Sequence, residues 1–326
     1  MHDWPRLHAF AALRPEAAFA LVSLVGRSGS SYRPPGARLL VAADGGWAGS
    51  ISGGCLEDEL AREATRVLVS GIPVRHSVDT RPHYGCPGRL ELFVEVLPAG
   101  WLGDLGARLE RRETFVVRTR FAGDRVEGLG SSLCAASDEG SEDGVFRQQV
   151  DPAPRLVVVS GTSDADHVLQ FAALLGWRAR RVRPAGEPLR ADEPADAAVC
   201  PAEDLASRFA PDARTAVLIM THHLARDLAY LRAAWVASYP YVGLLGSRKR
   251  RETLLAALGE EGLLEDETRA GRLFAPVGLD LGADDPAAIA LAIVAEVQAF
   301  FEGRSGGSLR LQHGVIHPAR SGFLPH

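Results

Sequence analysis

RLVVVSGTSDADHVLQFAALLGWRARRVRP, from Arg155 to Pro184, opens with a short apolar run that ends at a turn. Such a run, closed by Ser160 and Gly161, is the pattern of a strand buried on both faces in a parallel sheet. Behind the turn, Asp166 to Leu175 has helical spacing and stops at Gly176, a residue suited to a left-handed C-cap. Trp177 to Arg183 reads as a second strand, closed by Pro184. Strand, turn, helix, strand predicts a right-handed crossover.

The beat continues downstream. Ala197 to Cys200 is a weak strand and Thr215 to Met220 (TAVLIM) a strong one. Leu224 to Ala237 carries Leu224, Leu228, Leu231 and Trp235 at helical spacing. Tyr241 to Leu245 is the next strand and Arg248 to Leu258 the next helix. A final helix opens with Asp285 as N-cap and Pro286 at its first position, and is expected to bury Ile289, Ile293 and Val297. This alternation predicts a Rossmann-like domain with a parallel sheet.

The residues upstream follow another pattern. They predict a helix near Arg14 to Phe19, strands at Ala20 to Gly26 and Arg38 to Ala42, and a helix from about Leu56 to Ser70. Strands at Val74 to Val78, Leu90 to Leu97, Thr114 to Arg120 and Val145 to Val150 follow. Ser131 to Gly144 is small and acidic and reads as a connection, and Asp151-Pro152-Ala153-Pro154 reads as a junction. The fold class is therefore α/β: a mixed α+β domain over residues 1–150, the Rossmann-like domain over 151–302, and a mobile or draped tail over 303–326.

Bulk properties narrow the function classes. With 326 residues the chain is long enough for two cores, and 46% hydrophobic with 24% charged residues is ordinary globular composition. A net charge of -5 and a pI near 6.1 argue against a general nucleic-acid binder. No apolar stretch approaches the ~20 residues of a membrane span, and the first residues lack the pattern of a secretory signal. Cys55, Cys86, Cys134 and Cys200 fit neither a paired zinc pattern nor a disulfide framework, so a cytoplasmic protein with reduced thiols is expected.

The turn Ser160 to Asp166 stands where a Rossmann half holds a pyrophosphate, yet it keeps one glycine and opens its helix with Asp164 and Asp166. Carboxylates there favour the helix dipole and compete with a phosphate. Arg183 stands where an acid would hold the ribose hydroxyls. Both features make NAD(P) an unexpected ligand.

Two upstream loops have the composition of an anion or polar-ring site: Gly26 to Arg38, which contains Arg33, and Gly49 to Glu57. Their glycines let backbone N–H groups face a ligand; the alternative is a pair of ordinary connecting loops. Cys55 follows two glycines at the start of a predicted helix, where a thiolate is stabilised. It could equally be a small buried residue packing the helix start. Cys86 lies in a second tight turn. Downstream, Gly246-Ser247-Arg248-Lys249-Arg250-Arg251 sets a dense basic turn against a helix N-terminus, which an anion or an acidic partner would compensate. Thr221-His222-His223 follows a strong strand at the edge where doubly wound sheets keep their ligands.

At these segments the chain resembles the XdhC/CoxI family of accessory proteins for xanthine dehydrogenase and related molybdenum hydroxylases. The motifs are RPPGARLLV (Arg33 to Val41), SGGCLE (Ser52 to Glu57), GCPGRLEL (Gly85 to Leu92), MTHH (Met220 to His223), YVGLLGSRKRR (Tyr241 to Arg251) and APVGLDLGADDPAAIALAIVAEV (Ala275 to Val297). The resemblance implies a cytoplasmic, dimeric maturation factor that binds molybdenum cofactor (molybdopterin) transiently, protects it during sulfuration and hands it to a xanthine dehydrogenase-type hydroxylase. A cysteine desulfurase would be the second partner. Carried over by position, it implies Cys55 as the reactive residue. It implies Ser52, Gly53, Gly54, Glu57, Cys86, Arg33, His222, Gly246, Ser247 and Arg248 as further cofactor contacts, with no resident metal site. Two other functions stay open: an NAD(P)-dependent oxidoreductase, and a non-catalytic adaptor that docks a desulfurase through Arg248 to Arg251.

Overall fold

A computed structural model describes residues 3–29, 33–54, 56–80, 88–123, 125–187, 198–264 and 271–311. The chain divides into two compact units between Pro152 and Ala153.

The first unit is built on β1 (Phe19–Gly29), whose residues Phe19 to Val25 are all buried. It is the middle strand of an antiparallel sheet with order β3-β2-β1-β5-β4, where β2 is Arg38–Ala42, β3 Trp47–Gly49, β4 Val74–Asp79 and β5 Gly88–Val96. Alternate residues of β1 serve two cores. Ala20, Val22 and Leu24 pack with Leu60, Ala64 and Val67 of α2 (Glu57–Ser70). Phe19 and Leu21 pack with Trp4 and Leu7 of α1 (Asp3–Ala12) and Leu105 of α3 (Trp101–Glu110). A second antiparallel sheet, order β7-β6-β8, is made of β6 (Phe115–Arg120), β7 (Gly130–Ala135) and β8 (Val145–Val150).

Three upstream expectations change. The helix expected near Arg14 to Phe19 is replaced by α1, which ends at Ala12, and Phe19 begins β1. Pro15 disfavours helical geometry at Arg14 and cannot donate a helical hydrogen bond. The helix α3 and the short strand β3 are additions that the sequence pattern does not mark. The acidic connection expected from Ser131 contributes its first residues to β7, whose one buried residue is the hydroxyl-bearing Ser131.

The second unit follows its sequence pattern closely. A six-stranded parallel sheet has the order β11-β10-β9-β12-β13-β14. Its strands are β9 (Arg155–Val159), β10 (Arg178–Arg183), β11 (Ala198–Val199), β12 (Thr215–Ile219), β13 (Tyr241–Leu244) and β14 (Leu273–Phe274). In chain order that is 3-2-1-4-5-6, the doubly wound arrangement whose order reverses between β9 and β12. One face packs on α4 (Asp164–Leu174) and on α8 (Pro286–Phe301). The other packs on the short α5 (Leu205–Arg208), α6 (Leu224–Val236) and α7 (Arg248–Glu260).

The start of α8 matches its sequence signature. Asp285 Oδ1 accepts from Ala287 N at 2.9 Å and Ala288 N at 3.0 Å, with Pro286 at the first position. Asp285→Ala is expected to cost about 1 kcal/mol, the usual value of a lost N-cap, as a lowered urea midpoint with an unchanged slope.

Candidate functional site

Each unit presents a polar loop system of its own. In the first, β3 ends at Gly49, whose φ of +105° and 2.2 Å approach of a built Cβ to Arg38 O exclude any side chain there. The chain then folds Ser50 to Gly54 around the first residue of α2, Glu57, which is 2% exposed. Glu57 Oε1 accepts from Ser50 Oγ at 3.0 Å, Ile51 N at 2.9 Å and Ser52 N at 2.8 Å. Oε2 accepts from Ser52 Oγ at 2.6 Å, Gly54 N at 2.8 Å and Leu56 N at 3.2 Å. Burial pushes the Glu57 carboxyl upward. The Ser52 hydroxyl, the Ser52 and Ile51 amides and the Ser50 hydroxyl outweigh it and hold the pKa down to about 2.

This corrects one expectation about the loop. Its amides were expected to face a ligand, but those of Ile51, Ser52, Gly54 and Leu56 converge on Glu57. Gly53 N donates to Ser50 Oγ at 3.1 Å. Glu57 is thus the internal anion of an amide nest and fixes the backbone on both sides of position 55. Cys55 and Cys86 themselves lie outside the described residues. Arg33 is ion-paired with Asp3 of α1.

In the second unit, the loops at the carboxyl edge of the sheet are laced by charge. After β9, Ser160 Oγ accepts from Thr162 N at 3.1 Å. Where Gly161 lacks a side chain stands the carboxylate of Glu187, which is ion-paired with Arg226 of α6. Asp164 Oδ2 lies 3.2 Å from His222 Nε2, and Asp166 pairs with Arg181. His222 itself sits at φ 57°, a left-handed position uncommon for a residue with a side chain.

Behind this edge, Asp227 is fully buried in the first turn of α6. Its Oδ1 accepts from Thr221 Oγ1 at 2.5 Å and Thr221 N at 3.3 Å, and its Oδ2 accepts from Arg250 Nε at 2.7 Å. Arg250 therefore leaves the basic turn to neutralise Asp227, while Arg248, Lys249 and Arg251 are exposed. Ser247 caps α7, accepting from Arg250 N at 3.3 Å. Gly246 precedes it at φ 152° with the Arg250 side chain against it.

The structure thus gathers Ser52, Gly53, Gly54 and Glu57 in one loop and His222, Gly246, Ser247 and Arg248 on adjacent loops of one sheet edge. Sequence reasoning missed Glu187, Arg226 and Asp227. The last carried a signal, an acid at helical spacing behind Thr221-His222-His223; Glu187 carried none. Among the described residues, no group of three His, Cys, Asp or Glu side chains is placed to hold a metal ion. No described helix is long and apolar enough to cross a membrane.

An antiparallel unit with a carboxylate-centred loop, followed in sequence by a doubly wound parallel unit, defines a two-unit protein with a Rossmann-like second domain. The chain belongs to the XdhC and CoxI family. The model of that family matches residues 12–79, and the model described as the XdhC Rossmann domain matches residues 156–297.

Among curated proteins, the chain is 29% identical over 304 residues to the molybdenum cofactor insertion chaperone PaoD of Escherichia coli, covering 89% of this chain and 85% of that protein. It is 24% identical over 325 residues to a probable xanthine dehydrogenase subunit from Bacillus subtilis, covering 88% and 94%. A crystal structure described as a xanthine dehydrogenase from Bacillus halodurans superposes with a TM-score of 0.74 at 23% identity, covering 95% of this chain and 98% of that one, and shares its fold.

Proposed function

We propose that this chain is a molybdenum cofactor insertion chaperone serving a xanthine dehydrogenase-type molybdenum hydroxylase. What carries the reading is the near full-length relationship to a protein named as such a chaperone. The cofactor is cargo here, held transiently, sulfurated with the help of a cysteine desulfurase and released to the hydroxylase. A homodimer in the cytoplasm is the form we propose for it.

The Ser50–Glu57 loop suits such cargo in a specific way. Six donors converge on Glu57, so the loop needs no external anion to hold its shape. Ser52, Gly53 and Gly54 frame the approach, and Glu57 acts as a positioning residue. Cys55, two residues before α2 in the sequence, is the proposed thiol toward the metal or its sulfur, since a helix N-terminus favours thiolate. Cys86 is the proposed second thiol of the unit. Arg33 is a proposed polar contact of the first unit; on the second unit, taken by itself, His222, Gly246, Ser247 and Arg248 are the proposed contacts to an anionic group. Exposure of Arg248, Lys249 and Arg251 supports that assignment.

NAD(P) is not the ligand we propose for the second unit. The carboxylates of Asp164, Asp166 and Glu187 around the first βα loop support this reading.

The test is purification of the full chain from a cofactor-producing host, with protein-bound molybdenum read by mass spectrometry. Cys55→Ala is expected to keep its circular dichroism spectrum and retain about tenfold less molybdenum, roughly the loss of ~1.4 kcal/mol in binding. Equal retention by wild type and variant would remove Cys55 from the site, and no molybdenum on either would overturn the chaperone reading.

A further inference from the structure

Arg118 and Arg120 of β6, Glu95 of β5 and Glu127 from the loop before β7 line a cavity of about 440 Å3 in the first unit. Gly71, just past the end of α2, also lines it, whereas the Ser50–Glu57 loop surrounds the start of that 14-residue helix. At about 1.5 Å per residue the two places are roughly 20 Å apart.

Two of these charges are answered by neighbours. Arg120 pairs with Glu142 at 2.7 Å. Glu95 is only 3% exposed, and its carboxylate accepts from Ser131 N at 2.6 Å and Ser131 Oγ at 2.5 Å. A carboxylate offers roughly four acceptor positions, so Ser131 leaves about half of them open. A side chain at position 130 would crowd them, since Gly130 has a φ of +140° and a Cβ built there stands 3.0 Å from Glu95 Oε2. The other two charges are unanswered. Neither the half-buried Arg118 nor the exposed Glu127 has an ion-pair or side-chain hydrogen-bond partner among the described residues. Both line the cavity, yet they do not pair with each other.

The balance of charge selects the ligand. Arg38 is fully buried; burial lowers its pKa to about 10, and attraction to Glu95 and then Asp3 opposes that fall. Burial likewise raises the Glu95 carboxyl, against the Ser131 bonds and Arg38. Asp3 is already ion-paired with Arg33. The local sum is therefore zero: Arg38 and Arg118 stand against Glu95 and Glu127, and Arg120 against Glu142. A ligand of net charge would carry an uncompensated charge into the cavity, which is costly. A ligand whose separated charges cancel carries none, and gives Arg118 an anion and Glu127 a cation. An ammonium has three donors, enough for Glu127 and for the open positions of Glu95. Val96, Pro98 and Leu129 add apolar wall, with Val126 56% exposed beside them.

We propose that this cavity binds a free α-amino acid with an apolar side chain. The carboxylate meets Arg118, the ammonium sits between Glu127 and Glu95, and the side chain lies on the apolar wall. The inference rests on the first unit's geometry alone, so it stands or falls separately from the molybdenum experiment.

The test is calorimetric titration of the dialysed full chain with leucine, valine, methionine and phenylalanine in turn. At least one is expected to saturate with a Kd below about 1 mM. Its N-acetyl form, which lacks the ammonium, and its amide form, which lacks the carboxylate, should each bind at least about tenfold more weakly. Arg118→Ala should weaken the free amino acid about tenfold and leave the amide form unchanged. Glu127→Gln should weaken the free amino acid and leave the N-acetyl form unchanged. No saturation by any of the four at about 1 mM, or unchanged affinity in either variant, would overturn the proposal. So would a blocked form that binds as tightly as its parent, because one charge would then suffice, as it would for the end of a peptide. The blocked forms are read on the unaltered chain, so this arm decides even if a variant does not fold.

Discussion

Glu57→Gln should destabilise the first unit by about 3 kcal/mol at neutral pH and free the Ser50–Leu56 backbone to exchange. The carboxyl's pKa falls from 4.5 to about 2 on folding, and at about 1.4 kcal/mol per pH unit that gap corresponds to about 3 kcal/mol. Glutamine removes the charge and turns an NH2 group toward hydroxyl and amide donors that need an acceptor. Because the folded pKa lies below the unfolded one, the stabilisation is complete above pH 4.5. It declines as pH falls through that window and is gone below about 2. Wild-type stability should therefore drop more steeply than the variant's between those values. Equal slopes in urea titrations run across that range would show that Glu57 does not carry this charge-dependent stability. Hydrogen exchange of peptides covering residues 50–70 should localise the loss.

Asp227→Ala is expected to be the most damaging single change in the second unit, at about 3–5 kcal/mol. It leaves the Arg250 guanidinium, with its side chain 22% exposed, without its counter-charge, and strips Thr221 N and Oγ1 of their acceptor. The loops after β12 and β13 both depend on this carboxylate, so protection should fall at residues 221–224 and 246–251 together. Asp227→Asn keeps an acceptor for Thr221 and should cost less than alanine. If alanine and asparagine cost the same, charge neutralisation of Arg250 is the dominant contribution. If neither changes exchange at 246–251, the bridge does not hold α7.

The second unit was legible because β9 and β12, the central strands of its sheet, are apolar runs that need no partner to be recognised. Val157 to Val159 and Val217 to Ile219 are buried on both faces of the sheet, and Asp285-Pro286 announces a helix by local chemistry alone. The first unit hides its elements. Gly103 and Gly106 dilute the helical pattern of α3, yet Gly106 is needed because a Cβ there would meet the His8 ring at 2.1 Å. β7 turns Ser131 inward to Glu95, so polarity, the usual mark of a surface, marks an interior contact.

The loop carrying Ser52 to Glu57 could be found from its glycines and hydroxyls, and its motif pointed to a family. The direction of its amides could not, since only the fold puts Glu57 at the focus. Glu187 and Arg226 were invisible for the same reason: 39 residues separate them in sequence.

The position of Glu187 over Gly161 also sets a competition. A carboxylate tethered in the same chain meets its site at an effective concentration on the order of millimolar or more. Any free anion seeking the first βα loop must exceed that local supply and also separate Glu187 from Arg226. A phosphate compound that enters this loop has to displace the Glu187 carboxylate from above Gly161 first.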